Sequence, residues 1–412
     1  MKILILVESL KVGGGSERFA ATLGTQLHEH GYHVSYLTLM DENPKYDFKG
    51  QYYTLNMDDI YANYLKPGFY LKRGFNLLRY SPKIKKICEE LNIDIIISVS
   101  EIANFYAVLS RWLFRNKVHI ISTQHMNPEI FLDSPLQYRL MKFFYQRADE
   151  VVCVSREVER ILNQYYDLNN TQTIYNMMDI EDNIKSSLDD LPDQYKDLFT
   201  GQNFFNFINI GRLNQQKGQW FLIRSFRRVV DEYENARLFI LGDGPLKKKL
   251  EALIDELDLA GNVFLLGGQE NVFPFLKKSN CFVFSSLWEG LPLTLIEALS
   301  MNLPIISTDC KTGPREVLCP ELDLDENIDY PYLGNHAILT EKFPNKLLFK
   351  NLQEVPLDDA GQTLSDMMIK VIEDVDLREN YSHGRQRSET FSYKKIIKKW
   401  DEIINNRVSD LM

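Results

Sequence analysis

A chain of 412 residues is too long for one ordinary hydrophobic core and calls for two domains. Its 44% apolar and 25% charged content excludes a disordered chain, and no apolar run approaches the length needed to span a bilayer. The net charge of −10 lies wholly in the second half, because residues 1–180 carry 20 basic and 20 acidic side chains; that balance argues against nucleic acid as a partner.

The opening "MKILILVES" reads as a short buried strand and lacks the longer apolar core and small-residue cleavage site of a signal peptide. In "SLKVGGGSER", Gly13, Gly14 and Gly15 precede a helix that can begin near Ser16. Glycines let the backbone approach a ligand, and a helix start offers free N–H groups to an anion. A turn without any function explains the same residues. The cluster His28, His30 and His33 is read as polar residues ending that helix, not as a metal site.

Further strands are expected at "HVSYLTL", "IDIIISV", "HIISTQH" and "EVVCVS", with "TIYNMMD" closing the run. Strand, helix, strand in succession implies a parallel, doubly wound α/β domain over residues 1–180. His125, in "STQHMNP", ends one of these strands, where either a structural or a catalytic histidine fits. Residues 60–88 hold seven Lys or Arg, no acid and many aromatics. Such a segment suits an anionic membrane surface or a lipid-phosphate headgroup; a solvated basic face packed by its own aromatics is the other reading.

Residues 180–202 are polar and acidic and read as a linker. The α/β pattern then restarts over 203–390 with "FFNFINIGRL", "ARLFILGDG", "NVFLLGG", "CFVFSS" and "PIISTD" as strands. Arg212 and Lys217 lie in the first strand-to-helix loop, "GRLNQQKG", where two cations suit a diphosphate. Gly242 and Gly244 repeat a glycine turn after the next strand. Two carboxylates, Glu289 and Glu297, sit in "CFVFSSLWEGLPLTLIEALSMNLPIIST", an otherwise apolar stretch read as strand, Gly-Pro turn and helix. Buried charge of this kind needs an answering base, metal or set of ligand hydroxyls. Asp323 and Asp325 form a DxD in an acidic loop with no strand before it and read as solvated charge. Residues 321–359 read as a long loop region, with helical periodicity returning at 364–375 and 393–407. The five cysteines show no CxxC pair and fit buried free thiols in a reducing cytoplasm.

Taken together, "GGSER", "GRLNQQKG", "LGDGP", "EGLPLTLIEAL" and "TGPREVL" resemble, in order, the motifs of retaining glycosyltransferases of GT-B architecture, of the glycosyltransferase family 4 type. The resemblance implies two Rossmann-like domains facing across a cleft, with a C-terminal helix over 391–412 packing back on the first. It implies that Arg212 and Lys217 hold the donor diphosphate with the amides of Leu293 and Thr294. Glu297 would bind the ribose, Glu289 the transferred sugar, and Gln269 the base, with Gly244 beside the nucleotide. Gly14 and Gly15 would pass close to sugar and phosphate, and His125 would contact the sugar and orient the acceptor. The implied activity is retaining, metal-independent transfer of a hexosyl unit from a UDP-sugar to a lipid-linked or oligosaccharide acceptor. It belongs to bacterial cell-surface polysaccharide biosynthesis at the cytoplasmic membrane face, with the donor and no cofactor. A sugar-nucleotide epimerase of GT-B-like fold and an inactive partner of a transferase remain as alternatives.

Overall fold

A computed structural model describes residues 1–11, 14–40, 44, 46–57, 69–200, 203–346, 349 and 355–411. The chain forms two compact units, one of residues 1–177 with the helix that begins at Tyr393, the other of residues 178–392.

The first unit is a seven-stranded sheet, β1 (Lys2–Val7), β2 (His33–Met40), β3 (Gln51–Met57), β4 (Ile95–Val99), β5 (His119–Gln124), β6 (Glu150–Cys153) and β7 (Thr171–Thr173). Its order is β3-β2-β1-β4-β5-β6-β7 and every pairing is parallel, so the order reverses between β1 and β4. Because strand side chains alternate, a buried sheet must be apolar on both faces. Ile3, Ile5 and Val7 pack on one face against α1 (Gly15–Glu29), while Leu4 and Leu6 pack on the other. That second face is covered by α2 (Phe69–Leu91), α3 (Glu101–Trp112), α4 (Pro135–Tyr145) and α5 (Arg156–Tyr166), through residues such as Ile84, Tyr106, Phe144 and Val158. The chain's last helix, Tyr393–Leu411, joins the α1 face with Ile396, Ile397, Trp400, Ile403 and Ile404.

The second unit repeats the plan with β8 (Phe205–Ile210), β9 (Ala236–Leu241), β10 (Val263–Gly267), β11 (Cys281–Phe284), β12 (Ile305–Thr308), β13 (Tyr332–Leu333) and β14 (Ile338–Thr340). The order is β10-β9-β8-β11-β12-β14-β13, reversing between β8 and β11. Helices α6 (Ile180–Ser186), α7 (Asp193–Lys196), α8 (Gln219–Glu232), α9 (Lys247–Glu256), α10 (Phe273–Lys277), α11 (Leu293–Ser300) and α12 (Pro314–Leu318) accompany it. They are followed by α13 (Asp359–Glu373), α14 (Val375–Asn380) and α15 (Arg385–Ser388), and the last helix is α16.

Several expectations are corrected. The supposed linker is folded: Asp179 caps α6 by accepting from the Asp182 amide at 2.9 Å, and Ile180 and Leu191 are buried. Tyr195 on α7 donates to the Leu266 carbonyl at 2.7 Å, tying the segment to β10. Helices of seven and four residues carry too little periodicity to show against an acidic background. The supposed long loop contains the β13–β14 hairpin, whose second strand lies parallel beside β12. β3 was also unforeseen, because "QYYTLNM" is a half-exposed edge strand without clean alternation; its pairing with β2 fixes it.

A candidate donor site at the edge of the second sheet

The strand-to-loop ends of β8, β9, β11 and β12 converge through a set of backbone requirements. Gly218 has φ +60°, and a Cβ there would overlap the carbonyl oxygen of Ser285. Glycine lets the loop after β8 lie on the loop after β11, where Ser285 Oγ donates to the Lys217 carbonyl at 2.8 Å and the Leu287 amide to the Gln216 carbonyl at 2.7 Å. The loop after β9 is locked in the same way. The Leu213 amide donates to Asp243 O and the Leu246 amide to Leu213 O, both at 3.0 Å, and a Cβ on Gly244 would overlap that Leu213 oxygen.

This scaffold brings Lys217 Nζ to 2.6 Å from Glu289 Oε1, with the two side chains 17% and 7% exposed. The other oxygen, Oε2, accepts from Gln216 Nε2 at 3.1 Å. Thr312 donates its hydroxyl to the Glu289 carbonyl, so backbone and carboxylate are both held. Burial of an ion pair costs desolvation that only good geometry offsets, and here each carboxylate oxygen has its own donor. Arg212 is exposed and its guanidinium is unpaired among the described residues. An exposed cation without a partner among the described residues, five positions before Lys217 in the same loop, is available to an anion.

α11 begins at Leu293, directly after Pro292, so the amides of Leu293 and Thr294 lie in its first turn, where helix N–H groups lack intrahelical partners. The Thr294 hydroxyl is buried without a hydrogen-bond partner among the described residues. Glu297 is buried further along the same helix at 4% exposure. The Gln269 side-chain amide donates to the Leu266 carbonyl at 2.6 Å and to the Tyr195 hydroxyl at 3.3 Å, so its donors are engaged within the unit.

In the first unit Gly14 is the extended residue before α1 and Gly15 its first residue, exposed and with open space around its Cα. Phe19 on α1 meets the His125 ring edge-on, with centroids 4.6 Å apart. Helix start and strand end therefore share one edge of the sheet. His125 Nε2 lies 2.8 Å from Thr123 Oγ1, and burial pulls the imidazole down to about 3, leaving it neutral.

Two groups went unremarked in the sequence. Gln216 and Thr312 stand beside Lys217 and Gly313 in recognised motifs, yet only coordinates show that both grip Glu289. A polar chain also runs across the ends of β1, β4 and β5: Ser100 donates to Glu8, Gln124 Nε2 to Glu101 Oε1 at 3.1 Å, and Tyr145 to Gln124. Burial, helped by the charge of Glu8, pushes the Glu101 carboxyl up. The polar ends of "LVES" and "SVSE" were the available signal.

Residues 13–182 match the family model Glycosyltransferase Family 4, and residues 194–323 match Glycosyl transferases group 1. An uncharacterized glycosyltransferase of Methanocaldococcus jannaschii is 46% identical over 345 residues, spanning 81% of this chain and 84% of that one. The chain belongs to the family 4 glycosyltransferases. The chain is also similar to the N-acetylgalactosamine-N,N'-diacetylbacillosaminyl-diphospho-undecaprenol 4-alpha-N-acetylgalactosaminyltransferase of Campylobacter jejuni, 30% identical over 324 residues, with 77% of this chain and 83% of that one covered. The crystal structure of Anabaena HepE in complex with UDP and glucose superposes with a TM-score of 0.73 at 18% identity, covering 98% of this chain and 100% of that one. The fold is GT-B, with two Rossmann-like domains. Among the described residues of this family 4 chain, no three His, Cys, Asp or Glu side chains converge as metal ligands. Asp323 is exposed, as is Asp325, and all five cysteines are buried and unpaired.

Proposed function

We propose that this glycosyltransferase transfers a hexosyl unit from a UDP-sugar, with retention and without a metal ion, to a lipid-linked saccharide acceptor in cell-surface polysaccharide biosynthesis. The observation that carries the reading is the buried Lys217–Glu289 pair in the same strand-to-helix loop as Arg212, whose guanidinium is unpaired among the described residues. Two cations in one loop suit a diphosphate, and the carboxylate held against one of them suits the polyol attached to it.

In this mechanism Arg212 and Lys217 grip the diphosphate, and the Leu293 and Thr294 amides add their dipoles. As the C1–O bond to phosphate breaks, negative charge grows on the phosphate that these groups hold. Lys217, Arg212 and the helix start thus do the work a divalent cation does elsewhere. The acceptor hydroxyl attacks C1 on the face the phosphate leaves, and its proton passes to the departing phosphate oxygen. Glu289 is assigned no nucleophilic role; Lys217 and Gln216 orient its two oxygens. It accepts hydroxyls of the transferred sugar, while Glu297 accepts those of the ribose. Gly244 and the backbone near Gln269 flank the nucleotide. Gly14 and Gly15 give close backbone approach to the sugar and phosphate, and the neutral ring of His125 bonds a sugar hydroxyl and orients the acceptor.

Likeness to the Campylobacter enzyme, whose name places its acceptor on diphospho-undecaprenol, supports the lipid-linked class. The outer side of α2 supports a cytoplasmic membrane face as the place of work. Phe75 and Leu78 are 64% and 52% exposed there beside exposed Arg79, Lys83 and Lys86, and Trp112 at the end of α3 is 53% exposed. Residues 60–68 of the basic segment lie outside the described residues, and towards its end Lys85 and Lys86 pair with Glu89 and Glu90 at 3.5 and 3.6 Å.

A thermal-shift panel of UDP-glucose, UDP-galactose and their two N-acetylated counterparts, with and without EDTA, tests the donor, since ligand binding raises apparent stability. One UDP-sugar should stabilise the protein regardless of EDTA and lose its effect in Lys217→Ala. Product anomers by NMR then test retention. Loss of binding in EDTA, or an inverted product, overturns the mechanism; isomerised free UDP-sugar makes the chain an epimerase.

A further inference from the structure

We infer that Gln216 is a positioning residue for the donor sugar, acting through Glu289; this rests on the role proposed above for Glu289. Its amide Nε2 donates to Glu289 Oε2 at 3.1 Å, while Lys217 Nζ holds Oε1 at 2.6 Å. The two donors are adjacent in sequence yet reach opposite oxygens of one carboxylate. Asn214 makes this possible by accepting from the Lys217 amide at 3.3 Å, which closes the short turn Gln215–Lys217.

The division of labour has a chemical consequence. Lys217 is the group that a diphosphate competes for, because an ammonium's three donors are then shared between a carboxylate and the more strongly charged phosphates. Gln216 is neutral and gains nothing from the phosphates. It therefore keeps Glu289 in place when Lys217 is shared, and leaves the remaining lone pairs of both oxygens for sugar hydroxyls. The identity of the residue matters as well. A glutamate here would set two carboxylates within hydrogen-bonding distance, and the pair would retain a proton until higher pH. A lysine would compete with Lys217 for the same diphosphate. Only an uncharged donor fixes Glu289 without changing the charge that faces the leaving group.

The experiment is titration calorimetry of wild type, Gln216→Ala, Gln216→Glu and Glu289→Ala with UDP and with the four UDP-sugars of the panel. UDP has no sugar, so Gln216→Ala should bind it within about twofold of wild type. The preferred UDP-sugar should weaken roughly tenfold, as expected for one charge-assisted hydrogen bond lost in part. Gln216→Glu should recover UDP-sugar affinity below the pH where the shared proton leaves, and lose it above, a pH dependence absent from wild type. Should Glu289→Ala weaken the UDP-sugar while Gln216→Ala leaves it unchanged, or should Gln216→Ala weaken UDP equally, the inference about Gln216 fails alone. Should Glu289→Ala leave UDP-sugar affinity at the wild-type value, the role of Glu289 falls and this inference with it.

Discussion

His125 shows how one side chain can serve a site by refusing to ionise. Its ring sits between Thr123 and Phe19, and burial pulls its pKa to about 3, against the ordinary 6.5. The unfolded chain binds a proton below about pH 6.5 that the native ring declines, so this residue's contribution to stability is intact above that value and is lost as pH falls towards 3. The melting temperature of His125→Asn should accordingly drop less than that of wild type between about pH 7.5 and about pH 5, as differential scanning calorimetry can measure. An equal drop in both would mean the ring protonates freely in the folded protein. Residues such as Lys217, Glu289 and His125 were legible in sequence because each stands at a strand end or in a motif. Gln216, Thr312 and the Glu8–Ser100 contact were not, because a hydrogen bond between elements 73, 23 or 92 positions apart leaves no local pattern.

Elements were legible in proportion to how fully they are buried. β1, β4, β8, β9 and β11 are rich in buried apolar residues, as parallel strands covered on both faces must be, and β5 carries Ile120 and Ile121. β3, β7 and β13 lie at sheet edges, where one side sees solvent and the apolar signal thins, while β14 is buried but only three residues long. α2 belongs between these cases. Its inner side buries Tyr80, Ile84 and Cys88, and its outer side offers Phe75 and Leu78 among basic residues. If that side docks on lipid, Phe75→Ser with Leu78→Ser should lower co-sedimentation with anionic liposomes and leave UDP affinity at the wild-type value. Undiminished sedimentation would assign the patch to another partner.

For the molecule as a whole, the first unit is discontinuous in sequence: residues 178–392 intervene between its main body and α16. Trp400 is the anchor of that closing helix, fully buried in the cluster that contains Phe19, Leu23 and Leu27. Trp400→Ala should lower the unfolding free energy by about 3–5 kcal/mol, as for other buried aromatic deletions, read as a shift of the urea midpoint. Trp400→Phe should cost less, because the indole N–H has no partner among the described residues to lose.

The same discontinuity sets an order of events on the ribosome. The second unit is complete in the nascent polypeptide before α16 has been synthesised, whereas the α1 face waits for α16 to cover it. Until α16 emerges, Phe19, Leu23 and Leu27 present a greasy face to solvent, and a messenger cut short after Ser392 would leave it open to chaperones and proteases for good.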